Sequence, residues 1–274
     1  MPLYQAIILA IVQGLTEFLP VSSVAHLAVV PRLFGWTDPG LGFDIALHAG
    51  TLIAIIVYFF KDWVTIIGNG LGFKMPELRP DENNRFLLWY LAVGSIPVGL
   101  AGLFLKKYAE GPWRNLYVIG AMLIIVGIVM ALADYIGHER KNIAEMSWAD
   151  AMIVGLSQAL AVVPGTSRSG ITISAGRFRD VTRESAARFS FLLSTPAITA
   201  AALQDVRELV HSGGIPPEMR LPYLAGVLVS ALVGLVVIAF FLKYLRSHTF
   251  SVFVWYRVIF GIILLALAFF RLGG

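Results

Sequence analysis

The chain has 274 residues, of which 58% are hydrophobic and only 14% are charged. Soluble domains carry about 25% charged residues, so this composition predicts a membrane protein and excludes an ordinary soluble domain. The net charge of +4 does not indicate a nucleic-acid partner, because the basic residues lie in short breaks between apolar runs. The absence of cysteine excludes disulfides, thiolate metal sites and cysteine nucleophiles.

The apolar segments follow one another as two interrupted stretches and six uninterrupted ones. The first stretch, 3–34, lacks the features of a cleaved signal peptide, so we expect it to be retained, and it is interrupted by LPVSS at 19–23. Segments long enough to span a bilayer follow at 43–60, 86–105 and 116–134. A second stretch, 150–176, is interrupted by VPGTSRSG at 163–170, and further spans follow at 188–204, 221–243 and 250–271. The hydrophilic breaks are 73–85, 106–115, 137–148, 205–220 and 244–249.

Proline and small polar residues interrupt both of these stretches. Proline cannot continue a helix, and the Ser and Thr residues beside Pro20 and Pro164 favour caps and turns. Broken backbone survives in hydrocarbon only where it is buried in protein or lines a water-filled cavity. We therefore interpret the two stretches as re-entrant helical hairpins, with two kinked full spans as the alternative.

The order of the elements repeats along the chain. Each half, roughly 1–136 and 148–274, contains one hairpin and three spans, so the halves would have opposite orientations in the membrane. The sequence thus predicts one all-α polytopic membrane domain, with about six transmembrane helices and two re-entrant hairpins in an inverted-topology repeat. Pairing Pro20 with Pro164 aligns Ser23 with Ser167 without a gap.

The Lys and Arg residues are distributed unequally between the two predicted sides. Seven lie on one side: Arg32, Lys106, Lys107, Arg114, Arg207, Arg220 and Arg271. Twelve lie on the other: Lys61, Lys74, Arg79, Arg85, Arg140, Lys141, Arg177, Arg179, Arg183, Arg188, Lys243 and Arg246. Because cytoplasmic loops carry an excess of Lys and Arg, this count predicts that the second side is cytoplasmic and that both termini lie outside.

The first hairpin carries an acid, hydroxyls and an imidazole close to its proline. Gln13 and Glu17 are four residues apart and share one helix face. Ser22 and Ser23 follow the break, where a helix cap belongs, and His26 lies three residues after Ser23. We therefore expect acid, hydroxyl and imidazole to converge at membrane depth, where an ionisable residue indicates function because its burial costs about 3 kcal/mol. The alternatives are a structural ion pair for Glu17 and a packing role for His26.

The second hairpin carries a candidate phosphate site in the sequence PGTSRSGIT at 164–172. Arg168 supplies a planar, permanently charged fork that suits phosphate oxygens. Small residues let the backbone approach a ligand, and hydroxyls and amides at a helix start favour anions. Besides Arg168, the candidate ligands are Gly165, Thr166, Ser167, Ser169 and Thr172. The alternative is tight helix packing with a purely structural pair between Arg168 and Glu17.

These two motifs resemble the signatures of the undecaprenyl-diphosphate phosphatase family, also called the bacitracin-resistance (BacA/UppP) family, and the resemblance covers essentially the whole chain. The first signature, E/Q-x-x-x-E continuing into F-L-P-V-S-S-x-x-H, matches Gln13 to His26. The second, P-G-x-S-R-S-x-x-T, matches Pro164 to Thr172. Residues 47–51 and 188–196 are also similar to the family. Because the first position is Gln13, a mechanism that needs two acids on that helix is weakened.

The resemblance implies hydrolysis of undecaprenyl diphosphate to undecaprenyl phosphate and inorganic phosphate. The reaction would recycle the lipid carrier for cell-wall synthesis, give bacitracin resistance, and take place at the outer face of the bacterial cytoplasmic membrane. A divalent metal is usually required. The expected partners are the prenyl diphosphate and membrane lipid, without nucleic acid, and a homodimer is the oligomer that we consider.

The residue types agree with that chemistry, which needs charge neutralisation, a nucleophile and a proton donor. Arg168 and its hairpin can hold phosphate oxygens. Glu17 and Gln13 can hold Mg²⁺ or Ca²⁺ through the oxygen ligands that these ions prefer. Ser23 or His26 could attack phosphorus, or His26 could activate Ser23 or a water, and the sequence does not choose between them.

Three further polar residues lie within apolar segments. We interpret Asp44 and His48 as structural or rim residues, and Arg257 as a residue that snorkels or braces the hairpins. A lipid flippase or secondary transporter is the main alternative function, because inverted hairpin repeats also belong to transporter folds. Phosphate release from a polyprenyl diphosphate distinguishes the two.

Overall fold

The computed structural model describes residues 1–75, 84–211 and 214–272, and no β-strand is present among them. Its helices in chain order are α1 (Leu3–Phe18), α2 (Ser23–Leu33), α3 (Leu41–Tyr58), α4 (Phe60–Gly70), α5 (Leu87–Gly94), α6 (Ile96–Glu110), α7 (Leu116–Ile136), α8 (Trp148–Ala159), α9 (Arg168–Phe178), α10 (Arg183–His211), α11 (Arg220–Leu245) and α12 (Ser251–Leu272). The predicted all-α fold class is confirmed.

Five helical segments of the described chain are long and apolar enough to cross a membrane, and a sixth results if one bent pair is counted as a single span. The bent pair is α3 and α4, whose axes differ by 72°. Helices α5 and α6 together form the segment Leu87–Ala109 despite a break at Ser95. These spans confirm the predicted polytopic membrane protein.

Several predicted hydrophilic breaks differ from the structure. Helix α6 continues to Glu110 and α10 continues to His211, so parts of the breaks predicted at 106–115 and 205–220 are helical. Lys, Arg and Glu have high helix propensity, so a polar composition ends a membrane span without ending the helix. Most of the predicted break 73–85 falls on 76–83, outside the described residues.

The two interrupted stretches have corresponding backbones. In each, the residue before the proline is extended, because proline disfavours the helical conformation of its predecessor: Leu19 before Pro20, and Val163 before Pro164. The residue before each second helix has a positive φ, 74° at Ser22 and 66° at Ser167. The second helices, α2 and α9, both have 11 residues. The backbone therefore pairs Ser22 with Ser167, which corrects the alignment of Ser23 with Ser167.

The first helices of the hairpins are shorter than a membrane span. Helix α1 has 16 residues and α8 has 12, whereas a span needs about 20. Helices α1 and α3 pack on α11, and α8 packs on α5, α6 and α9. The order of hairpin and spans therefore recurs in the second half, while the opposite orientation of the halves in a membrane stays a prediction.

Close helix packing sets the position of α3. A Cβ atom at Gly50 would lie 2.0 Å from the Ser230 hydroxyl and 2.4 Å from the Val227 carbonyl oxygen of α11. Only glycine permits this approach, as is common where membrane helices pack closely. Phe18 at the end of α1 is fully buried and meets Phe191 of α10 edge to face, with ring centroids 5.3 Å apart. Helix α3 also packs against α1 and α10, so these three helices meet around the end of α1.

Basic residues that were predicted for one side of the membrane form ion pairs near one another. The pairs are Arg183 with Asp134 and with Glu139 (2.6 Å each), Arg179 with Asp150 (2.7 Å), Arg246 with Glu184 (2.7 Å) and Arg188 with Asp62. Asp180 lies in the loop after α9, and its carboxylate accepts the backbone N–H of His138, which follows α7, at 2.9 Å. This hydrogen bond holds the pKa of the Asp180 carboxyl below its ordinary value.

Candidate active site

The Glu17 carboxylate is the meeting point of the two hairpins. It lies in the last turn of α1 and is buried. Its Oε2 accepts hydrogen bonds from Gln13 Nε2 at 3.1 Å and from Ser23 Oγ at 2.8 Å. Its Oε1 pairs with Nη2 of Arg168 at 2.6 Å. The structure thus brings together four of the residues that the sequence analysis selected.

Arg168 is the first residue of α9, and its side chain is 13% exposed. One guanidinium nitrogen binds Glu17, but Nη1 is buried and has no hydrogen-bond partner in the part of the chain that the structure describes. Leaving a buried donor without an acceptor costs about 1–3 kcal/mol. This nitrogen is therefore a donor that an acceptor oxygen of a ligand could satisfy.

A cavity of about 320 Å³ lies beside the Glu17–Arg168 pair. Its polar lining includes Ser22, Ser23 and Ser167, and apolar residues of α10 form part of its wall. Ser23 and Arg168 begin α2 and α9, so two helix N-termini border the cavity. First-turn amides have no partner within a helix and favour anions. The cavity is therefore electrostatically suited to phosphate groups.

Gly165 contributes backbone to the same cavity. Its φ is 92°, and a Cβ atom there would lie 2.5 Å from the Ile119 carbonyl oxygen, so the position requires glycine. Ser167 also lines the cavity, and its Oγ accepts the Gly170 N–H at 3.2 Å, which caps α9. These two predicted ligands lie where a phosphate group can reach them.

Four predicted ligands are close to the site but do not line the cavity. Thr166 is fully buried, and Ser169 donates to the Leu19 carbonyl oxygen at 3.3 Å. Thr172 Oγ1 donates to the Arg168 carbonyl oxygen at 2.8 Å. Gln13 lies one helical turn before Glu17 and is also fully buried. One helix turn presents only part of its surface to a cavity, so these residues hold the hairpins in shape, and their role as phosphate ligands stays a prediction.

His26 does not join Glu17 and Ser23, which corrects the expected convergence. Its Nδ1 lies 2.8 Å from the Ser22 carbonyl oxygen, and its Nε2 lies 2.6 Å from the Tyr256 hydroxyl of α12. It does not line the cavity. Residues three apart point about 60° away from each other around a helix, which is enough to direct Ser23 and His26 to different neighbours. The catalytic role of His26 stays a prediction.

His48 occupies the place that the sequence analysis expected for His26. Its Nε2 lies 3.5 Å from Glu17 Oε2, its Nδ1 lies 2.7 Å from the Asp44 carbonyl oxygen, and its side chain lines the cavity. Its interpretation as a rim residue is therefore corrected. Asp44 itself pairs with Arg114 at 3.1 Å, which agrees with a structural role. The similarity of residues 47–51 to the family was the signal that could have identified His48.

Arg257 braces both hairpins. It is fully buried in α12 and donates to the carbonyl oxygens of Pro20 at 3.1 Å and of Gly165 and Thr166 at 3.1 and 3.0 Å. It also binds the Leu123 carbonyl oxygen of α7 at 3.1 Å. The bracing hypothesis is confirmed, whereas snorkelling is not, because the side chain is fully buried.

Glu17 and Gln13, the predicted metal ligands, carry oxygen atoms of the kind that hard cations bind. The described residues contain no group of three or more His, Asp or Glu side chains that could hold a metal. Gln13 Oε1, however, is buried next to the carboxylate and has no partner among these residues. Mg²⁺ often takes one or two carboxylates together with substrate phosphates and water. Glu17, which lines the cavity, therefore fits an ion that binds with the substrate, whereas Gln13 does not line the cavity and its place among the metal ligands stays a prediction.

Comparison with known proteins agrees with this geometry. Residues 6–263 match the family model described as bacitracin resistance protein BacA. A protein of Pelotomaculum thermopropionicum named undecaprenyl-diphosphatase is 45% identical over 268 residues, which cover 98% of this chain and 97% of the relative. Proteins of the same name from Moorella thermoacetica (43% identity; 99% and 100% coverage) and Trichlorobacter lovleyi (46% identity; 97% and 97%) are similar over nearly their full lengths.

Proposed function

The chain belongs to the bacitracin resistance protein BacA family, and we propose that it hydrolyses undecaprenyl diphosphate to undecaprenyl phosphate and inorganic phosphate. The observation that carries the proposal is the unsatisfied buried Nη1 of Arg168 beside a hydroxyl-lined cavity. Glu17 occupies half of the guanidinium fork, and the other half, which the fold encloses, would turn toward the cavity to donate to a phosphate oxygen. The names of the relatives support the choice of substrate.

The first step uses the hydrogen bond between Ser23 and Glu17. Ser23 Oγ attacks the terminal phosphorus, and its proton passes to Glu17 Oε2, 2.8 Å away. The bond between this phosphorus and the bridging oxygen breaks, and Glu17 returns the proton to the departing prenyl phosphate. Arg168 stabilises the charge on the phosphate oxygens.

The second step releases inorganic phosphate from Ser23. Water attacks the phosphoserine and transfers a proton to Glu17, and Ser23 Oγ recovers that proton as its bond to phosphorus breaks. His48 lies 3.5 Å from the same carboxylate and helps to orient it through both steps. Direct attack by water is the alternative, and a search for the phosphoserine decides between the two.

A divalent cation is part of the proposal. Glu17 and Gln13 would hold Mg²⁺ or Ca²⁺, which would neutralise charge on the phosphate oxygens when bound. Activity should therefore be lost in a chelator and restored by adding Mg²⁺ or Ca²⁺. Full activity in the chelator would exclude this part of the proposal.

We further propose that the protein lies in the bacterial cytoplasmic membrane with its active site open to the outer side. The distribution of Lys and Arg supports this orientation. Because the chain contains no cysteine, single-cysteine variants report on sidedness without background. A membrane-impermeant maleimide should label Lys107→Cys in intact spheroplasts and Arg140→Cys only after permeabilisation. A homodimer is a separate proposal, which native mass spectrometry of the solubilised protein tests.

Phosphate release from undecaprenyl diphosphate by the purified protein tests the activity. We expect release by the wild type and at least a hundredfold less by Arg168→Ala. Ser174→Ala is the matched control, because Ser174 is a buried α9 hydroxyl that binds the Gly170 carbonyl oxygen outside the cavity. A folded wild-type protein that releases no phosphate would contradict the enzyme and favour the lipid transporter.

A further inference from the structure

A second cavity adjoins the candidate active site. It has a volume of about 580 Å³ and lies between α6 and α10. The two cavities share five apolar lining residues, Ile45, Val98, Val162, Ala197 and Ala201. An apolar path therefore leads directly from the polar cavity into the space between these helices. We call this space the α6–α10 groove.

Small residues form the walls of the groove. Gly99 and Gly102 line it from α6, and a Cβ atom at either position would meet no atom within 4 Å. Ala197 and Ala200 line it from α10, next to Pro196 inside that helix. Leu103 at its edge is 74% exposed, so the groove opens on the surface that faces lipid. The helices are thus separated by open space rather than by interlocking side chains.

The polar residues of the groove are few. Ser95 donates its hydroxyl to the Leu91 carbonyl oxygen at 2.7 Å. Lys106 and Gln204 lie one helical turn beyond Gly102 and Ala200, where long side chains can extend toward the interface. The middle of the groove is therefore apolar.

We propose that the α6–α10 groove holds the prenyl chain of the substrate, with the first isoprene unit at the wall shared by the two cavities and the following units beside Gly99 and Gly102. This inference rests on the proposed function, because it assumes that the diphosphate occupies the cavity beside Glu17 and Arg168. A prenyl chain bonded to that diphosphate must leave the polar cavity through an apolar opening. The shared wall makes the groove the direct continuation of that cavity.

Another apolar groove of the protein provides a contrast. It lies between α7 and α12, has a volume of about 380 Å³, and is lined by residues that include Ala131 and Trp255. It shares no lining residue with the candidate active site. A chain attached to the diphosphate has no direct route into it, so the α7–α12 groove serves as the control surface.

The groove acts by orientation rather than by hydrophobic attraction. Lipid tails are as apolar as the groove, so transfer of the prenyl chain from the bilayer gains packing but little hydrophobic free energy. A prenyl chain that is fixed in the groove keeps the terminal phosphorus aligned with Ser23. Filling the groove should therefore lower the rate for long-chain substrates and leave short-chain substrates almost unaffected.

The double variant Gly99→Leu/Gly102→Leu tests this inference. Leu is a better helix former than Gly, and its Cβ meets no atom at either position, so the variant should fold. We expect kcat/KM for undecaprenyl diphosphate to fall about tenfold, while hydrolysis of dimethylallyl diphosphate, which has a single isoprene unit, changes less than about twofold. Ala131→Leu in the α7–α12 groove should leave both substrates unchanged.

A measurement without turnover separates this inference from the proposed hydrolysis. A photoreactive polyprenyl phosphate in nanodiscs should label residues 95–109 of the wild type, and the double variant should lose that label. If the probe labels residues 95–109 but the same protein releases no phosphate from undecaprenyl diphosphate, the result would support prenyl binding in the groove and contradict the proposed hydrolysis. Three results would each overturn the proposal that the groove holds the prenyl chain. They are an unchanged kcat/KM of the double variant for undecaprenyl diphosphate, an equal loss for both substrates, and labelling confined to α7 and α12.

Discussion

The two hairpins have matching backbones but different chemistry. In each, an extended residue precedes a proline, a serine has a positive φ, and an 11-residue helix follows. The first residue of that second helix is Ser23 in one hairpin and Arg168 in the other, and both bind the same carboxylate. The repeated backbone therefore brings two equivalent positions to Glu17. In the proposed mechanism, the side chain from the first half is the nucleophile and the side chain from the second half binds the phosphate.

Within and around the two hairpins, some side chains line the cavity and others only support its walls. Ser23, Arg168 and His48 line the cavity, whereas His26 and Arg257 hold the turns from behind. Substituting a supporting residue affects catalysis by displacing the side chains that line the cavity, and it also lowers the stability of the fold. Substitutions in matched pairs can therefore distinguish the two groups.

The largest effect is expected at Ser23. Ser23→Ala should lower kcat by about 10⁴-fold, because losing a nucleophile removes the covalent route. Ser174→Ala, at a buried hydroxyl of α9, should change kcat by less than about threefold. Acid quenching during turnover of substrate labelled in its terminal phosphate should trap a phosphoenzyme in the wild type but not in Ser23→Ala. A Ser23→Ala protein with normal kcat would exclude Ser23 as the nucleophile and leave water or His26.

The Glu17–Arg168 pair should show strong coupling. Arg168→Gln and Glu17→Gln should each lower kcat about 10³-fold and destabilise the protein by about 3–5 kcal/mol, because each leaves a buried charge without its partner. The double variant Glu17→Gln/Arg168→Gln should recover thermal stability but not activity. Steady-state kinetics and thermal unfolding in detergent measure both. Additive stability losses in the double variant would contradict the coupling.

Arg257 should affect activity more than a matched buried arginine. Arg257→Lys loses hydrogen bonds to both hairpin turns, and a misplacement of about 1 Å costs roughly a hundredfold in kcat. Arg177 is also buried and binds the Gly137 and Val181 carbonyl oxygens at the far end of α9. Arg177→Lys should lower the unfolding temperature by a similar amount but leave kcat per folded protein within about threefold. Equal effects of both variants on kcat would remove the special role of Arg257.

A smaller difference in kcat is expected between a variant of His48 and a variant that removes the Tyr256 partner of His26. His48→Ala should lower kcat about tenfold, because it removes a contact of Glu17, the proposed proton carrier. Tyr256→Phe removes the hydroxyl that binds His26 and should cost about 1 kcal/mol of stability with less than a threefold change in kcat. The reverse order of effects would return the catalytic role to His26.

The smallest effect concerns the far end of the second hairpin. The lowered pKa of Asp180 means that its bonds to His138 stabilise the fold above the unfolded-state pKa, near 3.8, and that this contribution is lost as the pH falls through the folded-state value. Asp180→Asn should therefore lower the unfolding temperature slightly at pH 6 and converge with the wild type in strong acid. A constant difference across this range would contradict the linkage.

Much of the architecture followed from local properties of the sequence. Apolar composition predicted the membrane, and Pro20 and Pro164 predicted both broken stretches, because proline acts on its immediate neighbours wherever it lies. The spacing of Gln13 and Glu17 predicted a shared helix face, because residues four apart lie one above the other on a helix. Helix ends were less predictable, since α10 continues through polar sequence to His211.

The composition of the site depended on the tertiary structure. The sequence identified Glu17, Ser23 and Arg168, but it placed His26 with them and left His48 at the rim. Which histidine reaches the carboxylate depends on the rotation of α2 toward α12 and on the close packing of α3 against α11 at Gly50. These are relations between helices distant in the chain, and no local pattern encodes them. Local sequence patterns predicted a membrane protein with two hairpins and most of the polar residues of its site, while the packing of distant helices set which of those side chains line one cavity.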